Sequence, residues 1–106
     1  MDVKPVKMRG RLRGATLDVK CLMPHPMETG VRKDFDGNPI PAHFIETVSC
    51  TRNGELVISA QLGPSVSRDP YLGFTVHGAA AGDRIEVSWV DNRGNSSSGE
   101  LIVGDR

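Results

Sequence analysis

The chain is predicted to be all-β, an immunoglobulin-like antiparallel β-sandwich of about seven strands that forms one domain over residues 1–106. Three features predict it. Apolar residues recur at every second position, which puts them on one face of a strand, and no stretch shows the 3.6-residue spacing of a helix. Twelve glycines and seven prolines cut these alternating stretches into short segments, as turn residues do. With 38% apolar and 25% charged residues in 106, the chain has material for one hydrophobic core. A small open or closed barrel is the alternative arrangement of the same strands.

The elements follow in order. Lys7 to Arg13 alternates, with Met8 and Leu12 facing one way and Lys7, Arg9, Arg11 and Arg13 the other. Such a basic row reads as a guarded, solvated edge strand or as a surface for an acidic partner. Thr16 to Met23 repeats the pattern, gathering Leu17, Val19, Cys21 and Met23 on one face. Pro24 and Pro26 end it, because proline gives no N–H to a ladder.

A hairpin is centred on Asn53-Gly54. A two-residue loop would set Cys50 across from Val57 and Val48 across from Ser59, mixing apolar with polar. A three-residue loop Arg52-Asn53-Gly54, with Gly54 left-handed, gathers Phe44, Val48 and Cys50 with Leu56, Ile58, Ala60 and Leu62 on one face. The longer loop with its glycine bulge is therefore predicted. Glu46 falls on that apolar side and is a misfit, expected at a rim or against a partner group, since a lone buried carboxylate is costly. Leu72, Phe74 and Val76 mark another strand. Ile85, Val87 and Trp89 mark the next, with Trp89 assigned to the core. Turn chemistry at Asp91 to Asn95 precedes a last strand over Glu100 to Val103.

The exception to this regular spacing is the long connection from Pro24 to Pro41. Loops of that length inside a compact domain are uncommon and often functional. Met23, His25 and Met27 alternate at its start, and His43 follows it. Thioether and imidazole together suit copper, Cu(I) in particular, so a copper-binding protein is one reading. In the other, the methionines cap the core and His25 is a rigid loop residue between two prolines.

Other chemistry is thin. Cys21 and Cys50 each sit inside an apolar alternation, which predicts buried, unreactive thiols; their pairing as a disulfide stays open. His25, Glu28, Asp34, Asp36 and His43 form a loose polar group, but no nucleophile and base stand at a recognisable spacing. No Gly-x-Ser-x-Gly, His-Glu-x-x-His or phosphate-cradling glycine loop occurs, so neither catalysis nor a cofactor is expected. Thirteen basic residues balance thirteen acidic ones, giving no overall electrostatic case for nucleic acid or an anionic membrane. No apolar run approaches the ~20 residues of a membrane span. Met1 to Val6 lacks the apolar region of a secretory signal.

The run Leu22-Met23-Pro24-His25-Pro26-Met27-Glu28-Thr29-Gly30-Val31-Arg32-Lys33-Asp34 resembles the signature segment of the SoxZ family. Ile40-Pro41-Ala42-His43-Phe44-Ile45, Asn53-Gly54, Gly63-Pro64-Ser65-Val66-Ser67, Asp69-Pro70-Tyr71-Leu72, Gly82-Asp83 and Trp89-Val90-Asp91-Asn92 follow in the same order. The resemblance implies a non-catalytic subunit in a heterodimer with a SoxY-like protein, which bears sulfur intermediates on a cysteine during thiosulfate oxidation. It also implies transient contact with c-type cytochrome, hydrolase and dehydrogenase components, and a periplasmic location reached by export with the signal-bearing partner. Ile102 to Arg106 contains no Gly-Gly-Cys-Gly-Gly arm, as this implies for the subunit that does not carry sulfur. It assigns no role to Cys21 or Cys50. The expected partner interface comprises His25, Pro26, Met27, Glu28, Thr29, Pro41, His43, Phe44, Pro64, Val66, Pro70 and Tyr71.

Overall fold

A computed structural model describes residues 1–104. Seven strands form: β1 (Lys7–Arg13), β2 (Thr16–Leu22), β3 (Ile45–Arg52), β4 (Glu55–Gln61), β5 (Tyr71–His77), β6 (Arg84–Asp91) and β7 (Ser96–Ile102). They make two antiparallel sheets, ordered β1-β2-β5 and β4-β3-β6-β7. No helix occurs among the described residues. The predicted all-β architecture of about seven strands in two antiparallel sheets is thus observed.

The core lies between the inner faces. Leu17, Val19 and Cys21 from β2 meet Val48 and Cys50 from β3 and Ile85, Val87 and Trp89 from β6, all buried. Their parity is the one the sequence displays, because one buried face leaves a strand no freedom to slip. The N-terminal segment then closes one side. Val6 N–H donates to Ser98 O at 3.2 Å, and Ser97 Oγ donates to Lys4 O at 2.7 Å. Gly99 makes room for that crossing, since a Cβ there would lie 2.2 Å from Val6 O.

Three expectations need correction. The hairpin loop is two residues, Asn53 and Gly54, both left-handed at φ 52° and 86°, as a type I′ turn requires. The extra residue that re-sorts the faces is not in the loop but in β4. Thr51 pairs with Leu56 and Cys50 with Ile58, leaving Val57 as a bulge. Ile58 and Ala60 therefore face inward as expected, while Leu56, on the near side of the bulge, stays 59% exposed.

A second bulge explains Glu46. Ile45 pairs with Asp91 and Thr47 with Val90, so Glu46 is skipped and turns to solvent. Ile45, not Phe44, takes the fully buried place.

Finally, the last strand begins at Ser96 and ends at Ile102, short of Val103. Its serines pair along β6, Ser97 with Trp89 and Ser98 with Ser88. Small residues suffice on its inner face because the N-terminal segment fills the space.

Candidate functional site

The alternation of β2 does not stop at its prolines. Cys21, Met23, His25 and Met27 are all buried, so every second residue keeps pointing inward beyond the last ladder bond. On β6 the same parity carries Ile85, Val87, Trp89 and then Asp91 to the interior. These two extensions bring His25 to Asp91 at one end of the sandwich.

Asp91 is the hub. His25 Nε2 lies 3.0 Å and His43 Nε2 2.7 Å from its Oδ2, which also accepts from Asn95 Nδ2 at 3.1 Å. Its Oδ1 accepts from the backbone N–H of Arg93 at 2.9 Å and of Asn95 at 2.8 Å. Burial alone would push this carboxyl up. The bonds from His25, Arg93 N–H, His43 and Asn95 N–H outweigh burial and hold it well below the usual carboxylate range. A carboxylate only accepts, so both imidazoles present Nε2–H to it.

The other nitrogen of His25 is also used. Met27 N–H donates to its Nδ1 at 3.0 Å, which fixes the Nε2–H tautomer. Burial pushes the His25 pKa down, partly opposed by the Asp91 bond, and the ring is neutral at pH 7. Its edge meets the His43 ring at a centroid distance of 4.6 Å and Trp89 at 5.1 Å.

The backbone around His25 is bound as well. His25 N–H donates to Asp69 Oδ1 at 2.9 Å, and Asp69 N–H to His25 O at 3.0 Å. Met27 and Asp69 both adopt positive φ, 49° and 53°. Such backbone persists only where its surroundings over-determine it.

His43 closes the base of the long loop. Glu28 and His43 exchange backbone hydrogen bonds of 2.7 and 3.0 Å, while Asn92 accepts from Phe44 N–H and donates to Ala42 O. From that base a loose hairpin projects to a turn at Asp34–Asn38. There Asp34 Oδ1 accepts from the N–H of Asp36 and Asn38. Phe35 at the tip is wholly exposed, and Val31 is 85% exposed.

The residues expected at the partner interface divide accordingly. His25, Met27, His43 and Pro70 are buried within the chain, so their side chains support the surface from beneath. Pro26, Glu28, Phe44 and Val66 are half-buried, and Thr29, Pro41, Pro64 and Tyr71 are exposed. Asp91, Asn95 and Asp69 were not singled out by the sequence reading. The signal for Asp91 was its place on the inward parity of β6.

Could the cluster hold a metal? Ligand atoms of His25, His43 and Asp91 lie within 4.8 Å of one another. Neither nitrogen of His25 is free, however, and Met27 Sδ accepts from Ile45 N–H at 3.4 Å. A copper ion would have to displace several satisfied bonds to use Met23, His25, Met27 and His43, so the geometry fits a hydrogen-bonded lock.

The cysteines are buried free thiols. Burial pushes both up, Cys50 to about 11. Protonated thiols are poor nucleophiles at neutral pH.

Fold and site together define a β-sandwich in which two histidines and an aspartate fasten a long projecting loop to the sheets. The chain belongs to the SoxZ family: the family described as "Sulphur oxidation protein SoxZ" matches residues 6–101. It is thereby a component of the sulfur-oxidation (Sox) system. Comparison with curated proteins gave no match.

Proposed function

We propose that the chain is the non-catalytic subunit of a SoxYZ-type sulfur carrier, holding a SoxY-like subunit that bears the sulfur intermediate on its own cysteine. One observation carries this reading: an uncovered apolar ledge. β1 approaches β7 on one side, so on the other side the four-stranded sheet extends past the three-stranded one and β4 overhangs. Ile58 and Leu62 there, with Val66, Leu72 and Phe74 nearby, are only half-buried, while Val57 at the bulge is exposed. A second subunit laid along this side would complete the core. An obligate interface of about 2,000 Å² or more is the size such a pair needs.

The polar cluster supports the same reading. Its donors and acceptors are spent on holding the loop, and the two thiols are buried and protonated. Sulfur chemistry then belongs on the partner, with the cytochrome, hydrolase and dehydrogenase components visiting the pair in turn. The pair acts in the periplasm, exported by the partner's signal.

Coexpression tests it. A SoxY-like protein and this chain should leave a size-exclusion column as one complex, and two separate peaks would count against the proposal. Intact-mass analysis after thiosulfate and an oxidant should find the adduct on the partner alone. An adduct on Cys21 or Cys50 would overturn the assignment. Deleting the partner's signal should leave this chain in the cytoplasmic fraction.

A further inference from the structure

The charge balance of the whole chain hides a local excess. On the outer face of the sheet β1-β2-β5, cross-strand rows run Lys7–Leu22–Tyr71, Arg9–Lys20–Gly73, Arg11–Asp18–Thr75 and Arg13–Thr16–His77. Five of the thirteen cations stand on this face with one acid, leaving eight cations against twelve acids elsewhere. Asp18 is taken by Arg13, whose Nη2 donates to it at 2.9 Å beside a second bond from Nε. Lys7, Arg9, Arg11 and Lys20 form no ion pair among the described residues, and all four are exposed.

Guarding an edge does not explain this arrangement. Positive charge on β1 would discourage pairing with another sheet, but Lys20 lies on the central strand β2. Arg9 and Lys20 are moreover direct cross-strand partners, and like charges placed opposite one another destabilise a sheet. Among the described residues only Asp18 offsets that cost, and in part, since Arg13 holds it while its charge also acts on Lys20 and Arg11. An external anion would offset the rest.

The shape indicates which kind. Arg9 and Lys20 both line two adjoining hollows, one of about 230 Å³ with Lys7, Leu22 and Tyr71, the other with Gly10, Arg11 and Asp18. Gly73 keeps the surface low beside Lys20, and a Cβ there would meet only Val19 O, at 3.9 Å. The cations follow the strand over roughly 20 Å and do not converge on one point, as a site for a single small oxoanion would require. We propose that the outer face of β1-β2-β5 is a docking surface for an acidic protein segment, with Lys7, Arg9, Arg11 and Lys20 pairing with its carboxylates. This face is separate from the ledge at β4, and the inference does not depend on what covers that ledge. Exposed charge pairs of this kind speed encounter and set specificity more than they add affinity, which suits a transient visitor.

The test uses the full chain and a dye-labelled oligoglutamate of about ten residues, long enough when extended to follow the stripe. Fluorescence anisotropy should show binding at about 0.01 M salt and none at about 1 M, as the screening length falls from about 30 Å to about 3 Å. Arg9→Glu with Lys20→Glu should weaken binding by about tenfold or more, and the corresponding glutamine pair less. Arg68→Glu, an exposed arginine in the β4–β5 loop, should change it less than about twofold. Thermal unfolding should show no loss of stability in any of the three variants, and a slight gain in the glutamine pair, where the like-charge repulsion is removed.

Four results would each overturn the proposal. They are no binding at low salt, an equal loss with Arg68→Glu, displacement by sulfate beyond that by chloride at equal ionic strength, and tighter binding to anionic lipid vesicles than to the peptide. The third would identify a small-oxoanion site and the fourth a membrane surface.

Discussion

A buried carboxylate survives in a protein core only when every lone pair has an owner. Asp91 satisfies that condition with five donors, two of them backbone N–H groups from its own turn. This makes Asp91→Asn a severe substitution despite its similar shape. At the Oδ1 position the new NH₂ meets two backbone N–H groups that can only donate, and at the Oδ2 position it is accepted only if His43 changes tautomer, because Met27 N–H holds Nδ1 of His25. A loss of about 3 kcal/mol is expected, read as a fall in Tm of more than about 10 °C by circular dichroism. His25→Ala should likewise destabilise, because Met27 N–H loses its acceptor and Asp91 one of its donors. It should leave Cu(I) affinity unchanged in a competitive chelator titration. A loss of Cu(I) affinity in that variant would restore the copper reading, so the two measurements separate a lock from a ligand.

At the level of strands and turns, small residues act where backbone comes close or turns left-handed. Gly54 is left-handed with open space around its missing Cβ, so Gly54→Ala should cost only the conformational strain, about 1 kcal/mol. Gly99 is the opposite case, since a Cβ there would collide with Val6 O. Gly99→Ala should cost about 3 kcal/mol and lift the N-terminal segment off β7. Hydrogen exchange would detect this as lost protection at Val6 N–H, the donor to Ser98 O. Period-two alternation made the strands and the core parity legible, because burial of one face acts on every residue of a strand. The two bulges were not legible. One skipped residue leaves no composition of its own: in β3 it appears only as the apparent misfit Glu46, and in β4 it was absorbed into a longer loop that set Leu56 on the inner face. The serines of β7 were missed for a related reason: small polar residues are strand-competent there only because a distant segment covers them. The polar lock was half legible. His25 and His43 were singled out by type, whereas Asp91 was read as a turn residue although its parity placed it inside.

Across the whole molecule, β6 is held by a carboxylate at each end. Asp91 terminates it at the loop end. At the other end Asp83 accepts from Ala80 N–H, from Asn53 Nδ2 and from Arg52 Nε, and these bonds lower it to about 2. Both carboxyls are depressed in the fold relative to an unfolded value of about 3.9. Each therefore contributes stability that is fully present above about pH 4 and is lost as acid protonates it toward its folded pKa. His25 acts with the same sign at higher pH. Its pKa is lowered by burial from the ordinary 6.5, so the unfolded chain takes up a proton that the folded chain refuses. Stability should accordingly hold steady above about pH 7, begin to fall as pH drops through about 6.5, and fall again below about pH 4 when both ends of β6 loosen together. Urea unfolding followed by Trp89 fluorescence across that range would show two descending limbs. In His25→Ala the limb starting near pH 6.5 should flatten while the one below about pH 4 remains. An upper limb unchanged in that variant would mean that the proton uptake belongs to another group and that the ring is not held neutral by Met27 N–H.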